Sequence, residues 1–163
     1  GLNVLTTYLH AKSTKVSINY HGLEAFPLDW RILNQLNFAR HIGTVEADTI
    51  YKKIHNQPWN ELAVLSQGFN LIKIEAKIQD VEFSEKFDLV YFDAFAPEKQ
   101  EEMWEKGIFQ KLFDAMSDHS IIVTYCVKGV VRRMLQSIGF KIEKLPGPMG
   151  GKREMLRARK IVE

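Results

Sequence analysis

A single cysteine, Cys126, stands among 163 residues. That excludes an internal disulfide and any multi-cysteine zinc or iron–sulfur site, and makes a reducing compartment, the cytoplasm, the expected home. Glycine and proline are sparse, 10 and 5 residues, which excludes collagen-like and low-complexity chains. No uninterrupted apolar run approaches the roughly 20 residues needed to cross a bilayer, and the start lacks a basic segment followed by an apolar stretch. Neither a membrane span nor secretion is expected. The histidines, His10, His21, His41, His55 and His119, are scattered without a second His or acid at ligand spacing, so no metal is expected. No Gly-x-Ser-x-Gly elbow or Walker loop supports serine-hydrolase or P-loop chemistry. What remains is a chain 45% apolar, long enough for one domain over residues 1–163 with a real core.

The formal charge of +2 conceals a segregation. From Lys128 to Glu163 there are ten Lys or Arg against three Glu, a balance of +7, which leaves 12 minus 17, or −5, for residues 1–127. A basic C-terminal segment on an acidic body suits contact with phosphates, but on the counts alone a solvated face is the preferred reading.

Hydrophobic spacing gives the order of elements. A helix runs from Leu2 to Lys12, a strand from Lys15 to Leu23, and a helix through Leu28, Leu33 and Leu36. A further helix from about Glu46 to His55 ends near Pro58, because the residue before proline avoids helical angles. Phe69 to Ile78 alternates as a strand with one wet face. Phe87 to Phe92 and Ser120 to Cys126 read as buried strands, separated by a helical region bearing Met103, Trp104, Ile108, Phe109, Leu112 and Phe113. Lys128 to Ile138 is helical and Gly139 stops it. Phe140–Leu145 and Arg153–Ile161 then form a closing hairpin. This alternation predicts an α/β fold, a mostly parallel sheet with helices on both faces and an antiparallel last strand, its ligand at the carboxyl ends of the strands.

Two carboxylates stand at such ends. Glu24 is placed either to accept hydrogen bonds from a nucleoside ribose or to sit in the first turn of a helix. Asp93 is placed either to orient a ligand amine or to cap the next helix. Cys126, inside an apolar run, reads as a buried inert thiol. The Pro146–Gly151 loop reads either as a plain hairpin turn or as a mobile segment that brings Lys152 and Arg153 to a large substrate.

The segments Leu23-Glu24-Ala25-Phe26-Pro27-Leu28, Phe92-Asp93-Ala94-Phe95-Ala96-Pro97, Met103-Trp104, Val131-Arg132-Arg133 and Gly151-Lys152-Arg153-Glu154-Met155-Leu156 occur in an order that resembles the methyltransferase domain of the MnmC family. The resemblance implies a Rossmann-like, S-adenosylmethionine-dependent enzyme that methylates the aminomethyl nitrogen of a modified wobble uridine in tRNA, giving 5-methylaminomethyl-2-thiouridine. Gly1-Leu2-Asn3 is similar to the end of the family's glycine-rich loop, which places the first strand of the fold before residue 1. By resemblance Gly1, Leu2, Asn3 and Glu24 hold the cofactor, and Asp93 lies beside the sulfonium and the incoming amine. The family's acid at the adenine is replaced by Lys77, which cannot accept a hydrogen bond, so Asp80, backbone carbonyls or a weakened contact must serve there. The anticodon loop implies stacking on Phe95, Trp104 or Tyr125, for each of which core packing is the first reading, and cationic contacts from Lys99, Arg132, Arg133, Lys152 and Arg153. In many members a flavin-dependent oxidase follows in the same polypeptide, so a separate FAD-dependent oxidoreductase is an expected partner here.

Methyl transfer to an amine needs alignment, where well-oriented reactions gain roughly 7–11 kcal/mol, and proton loss, typically about 100- to 10,000-fold when a group is poised for it. An ordinary aspartate is a poor base for an ammonium, which casts Asp93 as the group that gathers and orients the amine. The competing readings are a methyltransferase of the same fold acting on another amine and a non-catalytic tRNA-binding relative, the latter kept open by Lys77.

Overall fold

A computed structural model describes residues 1–148, 150–151 and 154–161. The chain divides into two compact units, Gly1–Val81 and Glu82–Glu163.

In the first unit, helix α1 (Leu2–Thr14) ends where Lys15 turns left-handed, φ 58°, and the chain returns as strand β1 (Ile18–Glu24). The direct return puts the N-terminal end of α1 at the same end as the carboxyl terminus of β1. The single helix expected over Leu28–Leu36 is instead two short ones, α2 (Trp30–Leu33) and α3 (Phe38–Ile42). Asp29 caps α2 by accepting from the Arg31 N–H at 2.7 Å, a local bond that competes with an earlier helix start at Pro27. Helix α4 (Val45–Asn56) begins at Thr44, whose hydroxyl accepts from the Ala47 N–H at 3.1 Å. Glu46 and Asp48 lie in its first turn and Lys53 and His55 in its last, a charge order that complements the helix dipole.

A strand not anticipated from the sequence, β2 (Leu62–Ser66), turns through Gln67 and Gly68 and pairs antiparallel with β3 (Phe69–Glu75). Gly68 takes φ 81°, which glycine reaches without steric cost. Strand β3 in turn pairs parallel with β1, in register from Ile18–Phe69 to Glu24–Glu75. Leu5, Tyr8, Ile50, Tyr51, Ile54, Phe69 and Leu71 form the core of this unit, with Tyr8 edge-on to Phe69 at 5.2 Å.

The second unit is built on a separate sheet. Strand β4 (Phe87–Tyr91) pairs parallel with β5 (Met116–Thr124), which begins four residues earlier than its apolar run suggests. The extra length is a bulge: the register jumps from Phe87–Met116 to Leu89–Ile121, with His119 at φ 61°. Between the two strands lie a 3₁₀ turn (Glu101–Trp104) and helix α5 (Lys106–Ala115). Helix α6 (Gly129–Ile138) ends on Gly139, φ 122°, where a Cβ would come within 3.2 Å of the Phe113 ring. The closing hairpin is present as β6 (Phe140–Pro146) and β7 (Glu154–Lys160), with β7 antiparallel to both β5 and β6. Both sheets are therefore mixed, because the β2–β3 hairpin adds an antiparallel pairing in the first. Lys160 donates to the carbonyls of Phe113 and Met116, both at 2.9 Å, and so supplies the cation that the end of α5 lacks.

Phe109 is fully buried against Phe92 and Trp104, with ring centroids 4.6 and 5.9 Å away. Phe109→Ala is expected to cost about 3–5 kcal/mol, read as a lower denaturation midpoint; a change under about 1 kcal/mol would contradict this packing.

Candidate functional site

At the carboxyl ends of β4 and β5 the second unit opens a cavity of about 240 Å³, lined by residues 92–97 in part, Trp104 and residues 124–128. Its floor is aromatic: Phe92 is buried and stands edge-on to Trp104 at 5.1 Å. Trp104 is 8% exposed and its indole N–H donates to the Phe95 carbonyl at 2.8 Å. That bond holds the loop after Asp93 in place. Bonds from the Lys99 and Gln100 N–H groups to the Ala96 carbonyl, at 2.7 and 3.2 Å, close the turn that follows. On the β5 side, Cys126 donates its N–H to the Thr124 hydroxyl at 3.3 Å.

Asp93 lies on the cavity wall, exposed at the rim of β4. It is not the cap of the next helical segment, since Gln100 precedes the 3₁₀ turn and Glu105 precedes α5. The other expected contacts separate into groups. Phe95 is 75% exposed beside the cavity, Tyr125 lines it, and Trp104 serves mainly as core. Lys99 is exposed in the turn but is not part of the wall. Arg132 and Arg133 line a different cavity, between α6 and β6. Lys152 and Arg153 lie outside the described residues. Cys126 differs from expectation: it is partly exposed and lines the cavity, because β5 ends at Thr124 and the thiol falls in the loop beyond.

In the first unit, the parallel register Glu24–Glu75 sets the ends of β1 and β3 side by side, and the Ala76 N–H donates to the Glu24 carbonyl at 3.2 Å. The Glu24 side chain accepts from the Phe26 N–H through Oε1 at 2.9 Å, which leaves Oε2 without a protein partner among the described residues. It does not sit in a helix first turn, because α2 starts beyond Asp29. Lys77 and Asp80 open and close an exposed turn directly after β3, with the Asp80 N–H bonded to the Lys77 carbonyl at 3.0 Å. A spare carboxylate oxygen at the end of β1 and an exposed acid, Asp80, in the turn after its neighbour β3 fit a ligand rich in hydroxyl and amino donors, the chemistry of an adenosine.

Gly1, Leu2 and Asn3 form the start of α1, where the Gly1 carbonyl accepts from the Leu5 N–H at 3.1 Å and the Asn3 carbonyl from the Thr7 hydroxyl at 2.7 Å. A Cβ on Gly1 would stand 2.3 Å from His55 Nε2. His55 was not singled out from the sequence; only the fold brings the end of α4 beneath residue 1. Its Nε2 is buried without a hydrogen-bond partner among the described residues. Its ring packs edge-on to Tyr51 at 4.4 Å. Lys73, buried on β3, donates to the His55 carbonyl at 3.0 Å and lies 4.7 Å from the centre of the Trp59 ring.

Comparison with known proteins identifies the group to which these features belong. The sequence model of the S-adenosyl-L-methionine-dependent methyltransferases matches residues 50–161. The chain belongs to this family. Among curated relatives, the tRNA 5-methylaminomethyl-2-thiouridine biosynthesis bifunctional protein MnmC of Leptospira interrogans is 32% identical over 96% of this chain and 25% of its own length. The protein of the same name from Nitrosospira multiformis is 28% identical over 96% and 26%. The chain thus spans about a quarter of the length of these relatives. Among solved structures, MnmC2 of Aquifex aeolicus superposes with TM-score 0.70 at 22% identity, over 97% of this chain and 50% of that one. A methyltransferase of Pyrococcus furiosus superposes at 0.52 and 13%, over 98% and 83%. The family and these likenesses give the chain a Rossmann-like methyltransferase fold whose cofactor is S-adenosylmethionine. No described helix is long and apolar enough to cross a membrane.

Burial is the main cause that lowers the His55 pKa from 6.5 to about 4, and the Lys73 charge acts in the same direction. The fold favours neutral His55, so its contribution to stability is complete above pH 6.5 and is lost as pH falls toward 4. His55→Gln is expected to flatten the pH dependence of the thermal midpoint between these values. An unchanged slope would show that His55 does not carry it.

Proposed function

We propose that this protein transfers a methyl group from S-adenosylmethionine to the primary amine of 5-aminomethyl-2-thiouridine at the wobble position of tRNA, in the cytoplasm. The observation that carries the reading is the cavity at the ends of β4 and β5, where the Asp93 carboxylate stands above the Phe92–Trp104 floor, in a chain similar over 96% of its length to proteins named for 5-methylaminomethyl-2-thiouridine biosynthesis.

The bound cofactor supplies an electrophilic methyl on a sulfonium. Glu24 is assigned to its ribose hydroxyls, through the carboxylate oxygen that Phe26 does not occupy, and Asp80 to its adenine in place of the acid that Lys77 replaces. The start of α1, Gly1, Leu2 and Asn3, is assigned to its methionine portion. Asp93 draws the substrate's ammonium into the cavity and, once the proton has left to water, orients the neutral nitrogen's lone pair. Phe95, 75% exposed in the loop that lines the cavity on either side of it, offers a face on which a base turned out of the anticodon loop can stack, and Tyr125 lines the cavity. Lys99, and with it Lys152 and Arg153, is assigned to the flanking phosphates. A separate FAD-dependent oxidoreductase that exposes the primary amine completes the scheme.

Alignment is the larger catalytic contribution, so Asp93→Asn is expected to lower turnover about 100-fold or more while cofactor affinity stays within roughly threefold. Single-turnover methylation of tRNA carrying 5-aminomethyl-2-thiouridine, followed by nucleoside mass spectrometry, measures the first quantity and a cofactor titration the second. Absence of the methylated nucleoside with the unaltered protein contradicts the function; equal losses in both assays contradict the role of Asp93.

A further inference from the structure

The cavity between α6 and β6, about 210 Å³, is lined by Gly129, Arg132, Arg133, Gln136, Ile142 and Lys144. Three of the six are cations. The guanidinium groups of Arg132 and Arg133 fold back over the same backbone position: a Cβ on Gly129 would lie 3.1 Å from Arg133 Nη1 and 3.9 Å from Arg132 Nη2. A side chain at residue 129 would crowd Arg133 and touch Arg132. Neither arginine has a carboxylate partner among the described residues, and Arg132 Nε is buried with no hydrogen-bond partner. Two adjacent guanidinium groups without an acid are mutually repulsive, and a buried unsatisfied N–H costs about 1–3 kcal/mol. An anion in the cavity would relieve both penalties, and the planar donor forks of arginine match the oxygens of a phosphate.

The position of the cavity selects the anion. Gly129 lines it, and the preceding residue, Lys128, lines the Asp93 cavity. Consecutive residues at the start of α6 thus line the two cavities. We infer that the α6–β6 cavity seats the backbone phosphodiester of the nucleotide adjoining the one whose amine enters at Asp93. The assignment rests on the reading of RNA as substrate and adds to it a fixed register between base and backbone.

Lys144 carries a brake on this seat. Its ammonium pairs with Glu154 at 2.8 Å, both side chains being about two-fifths exposed. The neighbouring acid, Glu143, is held by Arg157, with Oε2 2.7 Å from Nε and 2.6 Å from an Nη, and belongs to the alternate face of β6. Glu154 is thus the acid that competes with a phosphate for Lys144.

The test is the affinity of the full-length protein for an anticodon stem-loop RNA as a function of salt. Arg132→Gln/Arg133→Gln is expected to weaken binding roughly tenfold or more and to flatten the log–log salt slope by about 0.7, the value for one single-stranded phosphate. Glu154→Gln is expected to do the reverse, tightening binding and steepening the slope, which loss of a merely structural ion pair would not do. Arg132→Lys/Arg133→Lys keeps the charge and should keep most of the slope, which guards against a folding defect in the glutamine pair. Inorganic phosphate should compete with RNA for the unaltered protein and lose that effect in the glutamine pair. An unchanged slope in the glutamine pair, with RNA methylation intact, overturns the seat alone, and competition by phosphate without any change in RNA affinity assigns the cavity to a free anion and overturns it too. If the unaltered protein neither binds nor methylates RNA, the proposed function fails and takes the seat with it.

Discussion

The parallel pairing of β4 with β5, in register from Leu89–Ile121 to Tyr91–Val123, makes the two strands end together and forces the chain to diverge on both sides of the same gap. One branch runs from Asp93 into the loop that Trp104 pins, the other through Cys126 to the start of α6. The Asp93 cavity is the space between them. The same constraint acts in the first unit, where β1 and β3 end together at Glu24 and Glu75 and deliver Glu24 and the Lys77–Asp80 turn to one edge. Parallel strands place their loops at a common end whatever those loops contain, so the chemistry of each site is a matter of which residues follow the strands.

Much of this was legible because it depends on local pattern. Period-two alternation in Phe69–Glu75, the apolar run of Phe87–Tyr91 and the Gly139 stop of α6 are set by neighbours in sequence, and each element formed near its expected bounds; the expected burial of β4 did not follow, since it stands at the end of its described sheet with Leu89 and Tyr91 exposed. The exposed placement of Glu24, Asp80 and Asp93 follows from their standing just beyond strands. What was not legible depended on partners far along the chain. Strand β2 has only five residues, too few for its alternation to stand out. The early start of β5 needs a bulge that only pairing with Phe87 reveals. Trp104 falls in the core as its helical spacing predicts, but the bond from its indole to the Phe95 carbonyl leaves no mark in the sequence. His55 beneath Gly1, and Lys144 facing the α6 arginines, arise from contacts between elements and leave no motif.

The charge asymmetry along the sequence acquires a structural meaning in the second unit. Its basic residues are of two kinds. Lys160 and Arg157 are consumed internally, one at the end of α5 and the other on Glu143. Arg132 and Arg133 are held over one glycine without an acid. Net charge therefore overstates the cations available to a polyanion, and the geometry of the unpaired ones matters more than their number.

The account depends on the carboxyl ends of the strands gripping S-adenosylmethionine, and calorimetric titration of that cofactor into the full-length protein, alongside Glu24→Gln, tests this most directly. Saturable one-site binding that weakens roughly tenfold or more in the variant, as loss of charge-assisted hydrogen bonds to the ribose requires, is the predicted result. Absence of binding, or equal affinity in the two proteins, would contradict it.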